Sequence, residues 1–156
     1  MLCNKFFKGI ESCYKVLRRL YKDGYLKRMK LVNGCQNSEY VYYIKRPPAQ
    51  LKHCLKRTEF LCAMCKRYKT ESYEIEKQYG NIKPDATIFY NSNKAAFIEV
   101  ELSNKGFDYL KYENFYASGE WKKYFEAMPD ILIYSKQVPK ISDTARCKYM
   151  AFEMTD

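Results

Sequence analysis

The sequence predicts an α/β fold, with helices on both faces of a mixed β-sheet, preceded by a small helix-and-hairpin element. Two observations predict it. The apolar pattern alternates between helical spacing and short β-type runs, which gives the order αβββαβ after residue 49. The segment Arg46-Pro47-Pro48-Ala49 separates this region from the first third, because proline cannot continue a β-ladder. A chain of 156 residues, 47% of them apolar, suffices for one core domain and a small appendage.

The first element is predicted to be a helix that ends at a glycine. Apolar residues repeat with helical spacing over residues 10–21, and Gly24 then favours the left-handed conformation of a helix cap. Two segments rich in aromatic and branched residues, 25–32 and 39–45, flank a polar turn. A helix, a glycine stop and a hairpin form the second half of a winged helix, so residues 1–48 are predicted to be a minimal winged-helix element.

The positive charge of the chain is concentrated in this first third. The formal net charge is +10, and residues 1–57 contain 14 Lys and Arg against 3 Asp and Glu, whereas residues 58–156 contain 14 against 15. A basic surface interleaved with tyrosines is typical of nucleic-acid contact, and double-stranded DNA is the expected partner. A helix of this kind enters the major groove while the hairpin meets phosphates. The predicted DNA-binding residues are Lys15, Arg18, Arg19, Lys22, Lys27, Arg28 and Lys30.

Two other interpretations of the N-terminal element stay open. A basic helix and hairpin can serve solubility alone, without a nucleic-acid partner. Because only half of a winged helix is present, a homodimer is also an expected arrangement.

Residues 49–156 are predicted to form the sheet domain. Its elements follow one another without an internal repeat. They are a helix over residues 51–68, strands over 72–79, 86–90 and 95–102, helices over 107–118 and 120–127, a strand over 131–134 and a last segment over 149–154.

Three carboxylates fall at the ends of two neighbouring predicted strands. Asp85 opens one strand, and Glu99 and Glu101 end the next with a spacing that places both on one face. Buried carboxylates are costly unless a metal, a proton or a basic partner offsets them. The sequence therefore predicts a site for Mg²⁺ or Mn²⁺ with Asp85, Glu99 and Glu101 as ligands. The alternative is structural, with the two glutamates paired to Lys105 and Lys111.

The element order and the motifs Pro84-Asp85 and Glu99-Val100-Glu101 resemble the core of the PD-(D/E)XK nuclease superfamily. The resemblance implies that Asp85 and Glu99 bind Mg²⁺ and that the third motif position, usually Lys, positions or activates the attacking water. Here Glu101 occupies that position. The resemblance therefore assigns the catalytic cation to Lys105 or Lys111, with a carboxylate at 101 serving as ligand or general base.

The whole chain also resembles the replication-relaxation proteins of plasmids, integrative elements and phages. The motifs are GYLKR after the first helix, a linking helix with a His, then PDA, FIEVE, LKYENFY, GEW and MPDILIYS. Glu101 replaces the second Asp of the family pattern, and the other matching residues are Asp85, Glu99, Lys111, Tyr116, Gly119 and Trp121. The resemblance implies a DNA-binding accessory or regulatory protein of a mobile genetic element, whose nuclease-like domain has weak or no activity. The alternatives are an Mg²⁺-dependent DNA endonuclease and a module that binds a protein partner.

Seven cysteines raise the question of disulfides or zinc. No apolar signal segment opens the chain and no window approaches the roughly 20 apolar residues of a membrane span, so we expect a cytoplasmic protein with reduced thiols and no membrane contact. Cys62 and Cys65 form a CxxC with Cys54 and His53 upstream. These cysteines fall on the apolar stripe of the predicted 51–68 helix, which favours a role in the core over zinc binding. His53 falls off the stripe, and we expect no partner base for it.

Overall fold

The computed structural model describes residues 9–30, 40–47, 49–103 and 106–154. The chain forms two compact units, Met1–Leu51 and Lys52–Asp156, and the division lies three residues after the predicted boundary at residue 48. The hairpin turn predicted around residues 33–38 and the candidate Lys105 lie outside the described residues. No helix in the described ranges is both long enough and apolar enough to cross a lipid bilayer.

The N-terminal unit contains one helix and one hairpin among its described residues. Helix α1 spans Ile10–Lys22, and strands β1 (Lys27–Lys30) and β2 (Tyr40–Tyr43) pair antiparallel, with Lys27 opposite Tyr43. Gly24 has φ +78°, the left-handed conformation that ends the helix. The carbonyl of Leu20 accepts from the amides of Tyr25 and Leu26, which turns the chain into the first strand.

The second unit contains a five-stranded sheet and the helices that cover it. The elements are α2 (Leu51–Arg67), β3 (Ser72–Ile75), β4 (Ala86–Tyr90), β5 (Lys94–Glu101), α3 (Leu110–Ala117), a 3-10 helix (Glu120–Lys123), β6 (Asp130–Ser135) and β7 (Tyr149–Glu153). The strand order in the sheet is β3-β4-β5-β6-β7. Strand β4 runs antiparallel to both β3 and β5, whereas β6 runs parallel to β5 and β7 parallel to β6. The mixed sheet of the predicted α/β class is therefore confirmed.

Two buried clusters lie on opposite faces of this sheet, because successive strand residues point to opposite sides. On β5, Ile98 belongs to a cluster with Phe60 of α2, whereas Phe97 belongs to a second cluster with Tyr112 and Phe115 of α3. All five side chains are at most 3% exposed. The strand is buried on both faces, as expected for a sheet covered by helices on each side.

Two predicted elements of the second unit are only half as long in the structure. The strand predicted over 72–79 ends at Ile75, because Glu76 has φ +51°, which a regular strand does not contain; Tyr79 instead forms an isolated bridge with Ile82. The helix predicted over 120–127 is a single 3-10 turn that follows Gly119, whose φ is +69°. Both departures come from backbone conformations that apolar periodicity does not report.

Candidate functional site

Asp85 lies at the start of β4, where the antiparallel register carries it to the carboxyl end of β5. Ala86 pairs with Ile98, so the preceding residue comes beside Glu99 and Val100. The Asp85 Oδ2 accepts a hydrogen bond from the Val100 amide at 2.8 Å. The same oxygen lies 3.1 Å from His53 Nε2, which is also 3.1 Å from the Val100 carbonyl oxygen. These contacts hold the carboxylate in one orientation.

His53 was expected to have no partner base, and this prediction is wrong. Its side chain is 21% exposed and that of Asp85 is 17% exposed, so the pair is largely shielded from water. Two acceptors face Nε2, which indicates that this nitrogen carries the proton. No local sequence pattern signals the pairing, because 32 residues separate the two and only the packing of α2 on the sheet joins them.

Glu99 is the most enclosed of the three predicted ligands. Its side chain is 12% exposed, and its Oε1 accepts from Lys111 Nζ at 2.8 Å and from the Tyr112 hydroxyl. Both partners come from the first turn of α3, which covers this face of the sheet. Burial raises the pKa of Glu99, and the nearby charge of Asp85 raises it further, although Lys111 and Tyr112 act in the opposite direction. The sequence predicts Lys111 as a candidate cation beside Glu99, but it does not predict the contact with Tyr112.

Glu101 lies on the same face of β5 as Glu99 but has different contacts. Its Oε1 accepts from the Ser103 amide at 2.7 Å, and the residue lines an open cleft at the end of the strand. The structure therefore brings Asp85 and Glu99 together with Lys111, while Glu101 faces the neighbouring cleft. Lys105, the other candidate cation, lies outside the described residues.

A site for Mg²⁺ or Mn²⁺ can be tested against these contacts. Within the described ranges, no three His, Cys, Asp or Glu side chains come together in a way that could hold a metal ion. Asp85 and Glu99 each use one oxygen in the contacts above, and no described residue binds Asp85 Oδ1 or Glu99 Oε2. Mg²⁺ commonly binds one or two carboxylates and keeps water and phosphate ligands. The donor set fits a weak site completed by a phosphate and does not fit a protein-only cage.

The cysteines of α2 do not provide such a site either. Cys54, Cys62 and Cys65 are half-buried and form no disulfide, and Cys65 packs against the core cluster that contains Phe60. The His53 ring contacts Asp85 instead of a thiol. This arrangement agrees with the interpretation of these cysteines as small apolar residues.

In the N-terminal unit, most of the predicted DNA-binding side chains are exposed. Among the described residues, Arg19 alone of these exposed cations has an acidic partner, Asp23 at 3.7 Å. The exposed cations are Lys15, Arg18, Arg19, Lys22, Lys27 and Lys30.

Arg28 differs from the six exposed cations because its guanidinium contacts two aromatic rings. Its guanidinium lies 4.2 Å from the ring centroid of Tyr21 and 4.2 Å from that of Tyr40. The cation is thus held between two aromatic rings, one from α1 and one from β2. This contact fastens the hairpin to the helix and withdraws part of Arg28 from the surface.

Comparison with protein-family models, with curated proteins and with solved structures yields no match. The likeness to replication-relaxation proteins and to the PD-(D/E)XK superfamily therefore rests on the quoted motifs alone.

Proposed function

We propose that the protein is a DNA-binding accessory or regulatory protein of a mobile genetic element. In this proposal the N-terminal unit is a minimal winged helix that binds duplex DNA, and the sheet unit is a PD-(D/E)XK-like domain with weak or no activity. The observation that carries the proposal is the row of exposed, largely unpaired Lys and Arg side chains on α1 and β1.

Unpaired surface cations are suited to phosphate contact, because binding a polyanion releases condensed counterions and needs no rearrangement of existing ion pairs. Lys15, Arg18 and Lys22 form no ion pair with any described residue, so no internal pair has to break before they contact a phosphate. The described residues of the first unit carry exposed cations on a short helix and on a hairpin, which agrees with a DNA-binding element in size and charge.

The contacts of Glu99 support weak or absent turnover in the second unit. A carboxylate that binds metal during catalysis must be ionised and must face the ion. Here burial raises the pKa of Glu99, and one of its oxygens is occupied by Lys111 and Tyr112. Glu101, in the usual position of the catalytic lysine, carries the wrong charge for that role.

The salt dependence of DNA binding tests the proposal. If six to eight cations contact phosphate, the affinity for duplex DNA should fall by roughly three orders of magnitude between about 50 and 200 mM salt. Replacing Lys15, Arg18, Arg19 and Lys22 by Ala should flatten this dependence by roughly three to four logarithmic units per unit of log salt. Fluorescence anisotropy of a labelled duplex gives both quantities.

A matched control removes the same number of charges from the second unit. Lys66, Lys94, Lys136 and Arg146 are exposed, and none has an ion pair among the described residues. Their replacement by Ala should leave the salt dependence almost unchanged. A wild-type affinity that does not respond to salt, or equal effects of the two quadruple variants, would contradict DNA binding by the N-terminal unit.

A second candidate function, an Mg²⁺-dependent endonuclease, is favoured by one contact. Lys111 Nζ lies 2.8 Å from Glu99 Oε1, so a cation does come beside the acids although position 101 is not lysine. With metal bound between Asp85 and Glu99, this ammonium could stabilise charge on a scissile phosphate.

Nicking of supercoiled plasmid in Mg²⁺ or Mn²⁺ tests the second candidate. Activity of the wild type that is lost in Asp85→Ala, Glu99→Ala and Lys111→Met would support it. Activity that survives in all three variants would come from a contaminant, and an inactive wild type would leave the first proposal in place.

A further inference from the structure

A cleft of about 360 Å³ opens where β5 and β6 end side by side. Parallel pairing places Glu101 opposite Ser135 at this edge of the sheet. Phe107, Gln137 and Lys140 also line this cleft. The cleft therefore combines one aromatic ring, one acid, one amide and one cation.

Among the described residues, the polar groups of the cleft are only partly satisfied. Glu101 Oε1 accepts from the Ser103 amide, and the carboxylate has no ion pair with any described residue. Ser135 Oγ donates to the Gln137 carbonyl at 2.7 Å. Among the described residues, the Gln137 side-chain amide and the Lys140 ammonium have no hydrogen-bond partner. An acceptor, an amide and an ammonium are thus available to a ligand.

This combination suits a nucleobase better than a phosphate group alone. An unpaired carboxylate repels phosphate, but it accepts hydrogen bonds from an exocyclic amino group such as cytosine N4. An aromatic side chain offers a stacking surface to any base. Lys140 lines the same cleft and supplies a cation for the phosphate that accompanies that base. Thymine has a carbonyl where cytosine has its amino group, so Glu101 would disfavour thymine.

The cleft lies beside the site around Glu99, farther along the same strand. Glu101 follows Glu99 by two residues on the same face, which is a rise of about 6.6 Å along the strand. The Phe107 ring lies 5.9 Å from Lys111 Nζ and stacks on Tyr112 at 6.0 Å between ring centroids. A DNA strand whose phosphate meets Lys111 therefore has its neighbouring nucleotide at the cleft.

We propose that the cleft formed by Glu101, Phe107, Gln137 and Lys140 binds a base of unpaired, single-stranded DNA and prefers bases with an exocyclic amino group. The proposal rests on the proposed DNA-binding function and deepens it. It assigns to the second unit a contact with a single strand, in addition to the duplex contact proposed for the first unit.

Labelled single-stranded oligonucleotides of dC and of dT, equal in length, test the preference, because both are pyrimidines. By fluorescence anisotropy at constant salt, the wild-type chain should bind the dC strand about fivefold more tightly than the dT strand. Glu101→Gln should abolish this ratio, since the amide can also donate to the thymine carbonyl. Phe107→Leu should weaken the binding of both strands about fivefold and leave the ratio of the dC and dT affinities unchanged.

Glu59→Gln is the matched control. Glu59 is exposed on α2, on the opposite face of the sheet, and its replacement should leave the dC to dT ratio unchanged. The unfolding transition of each variant, followed by Trp121 fluorescence, verifies that it folds.

Equal binding of dC and dT by the wild type would overturn the proposal, as would a preference that persists in Glu101→Gln. If the wild type binds neither single strand while duplex binding stays intact, the proposed role of the cleft in base binding is contradicted. The proposed DNA-binding function would remain. Loss of salt-dependent duplex binding in the wild type would overturn the proposed function itself.

Discussion

Among the described residues up to Leu51, Cys13 alone is buried, whereas the unit that begins at Lys52 encloses a cluster of buried side chains on each face of its sheet. The two units also differ in whether their charged side chains form ion pairs. Lys15, Arg18 and Lys22 of the first unit are exposed and form no ion pair with any described residue. In the second unit several cations pair with acids of other elements, as Lys111 does with Glu99 and Lys148 with Asp130.

The difference shows two uses of charge in one chain. Exposed like charges attract a polyanion from a distance but add little to folding, because water screens them. Enclosed opposite charges fix the positions of side chains, and removing one partner leaves the other poorly solvated. We therefore expect substitutions in the first unit to change DNA binding and substitutions in the second to change stability.

The largest effect on stability should come from the sheet core. Phe97 is fully buried and contacts the rings of Tyr79, Tyr112 and Phe115, so Phe97→Ala should lower the free energy of unfolding by about 3 to 5 kcal/mol. Tyr14→Ala, at a side chain that is 49% exposed, should cost no more than about 0.5 kcal/mol. Urea unfolding followed by Trp121 fluorescence and by far-UV circular dichroism measures both. Similar losses would contradict the contrast between the units.

A smaller loss should follow removal of the cation beside Glu99. Lys111→Met keeps the apolar stem but leaves the carboxylate with Tyr112 alone. Because Lys111 is about one third exposed, we expect a loss of about 2 kcal/mol, below the usual cost for a fully buried pair. Adding Glu99→Gln should recover at least half of it, because no unpaired charge remains. Urea unfolding of the two single variants and the double variant gives the coupling energy. Additive effects would mean that the ion pair does not fix Glu99.

The next effect depends on pH and concerns Glu113. Its carboxylate accepts hydrogen bonds from the amides of Arg146 and Cys147 and from the Tyr149 hydroxyl. Burial alone would raise the pKa of Glu113, but these hydrogen bonds outweigh burial and lower it. A lowered pKa stabilises the folded state above the unfolded value of about 4.3, and this stabilisation is lost as the pH falls through the folded pKa.

Glu113→Gln should therefore lower the free energy of unfolding by about 1 to 2 kcal/mol at pH 7, and the difference from wild type should shrink as the pH falls below about 4. Urea titrations over this pH range measure the difference. A deficit that does not change with pH would mean that the charge of Glu113 contributes nothing.

The smallest effect should be at Arg28, which the sequence grouped with the DNA-binding residues. Its contacts with Tyr21 and Tyr40 predict that Arg28→Met slightly lowers the stability of the hairpin. Amide hydrogen exchange of β1 and β2 measures this loss. The affinity for duplex DNA should fall less than in Arg18→Met, since the Arg28 cation is held between rings. A larger fall would place Arg28 in the DNA interface.

The sequence by itself determined the element order, the mixed sheet, most element bounds and the concentration of positive charge before residue 57. Helical and strand periodicity come from the burial of one face, so the pattern of apolar residues records them directly. For this reason the apolar residues around Val100 predict a buried strand. The acids at the end of that strand stand out from the sequence because they interrupt an apolar run. The early end of β3 was not visible, because the positive φ of Glu76 leaves no apolar signature.

Only the tertiary structure decided which side chains meet. His53 reaches Asp85 across 32 residues, Tyr112 joins Lys111 on Glu99, and Glu101 faces a separate cleft. These contacts depend on how α2 and α3 pack on the sheet, which spacing along the chain does not encode. Carboxylates that share a spacing can therefore have different partners, and the direction in which each acid points is set by the helix that covers it.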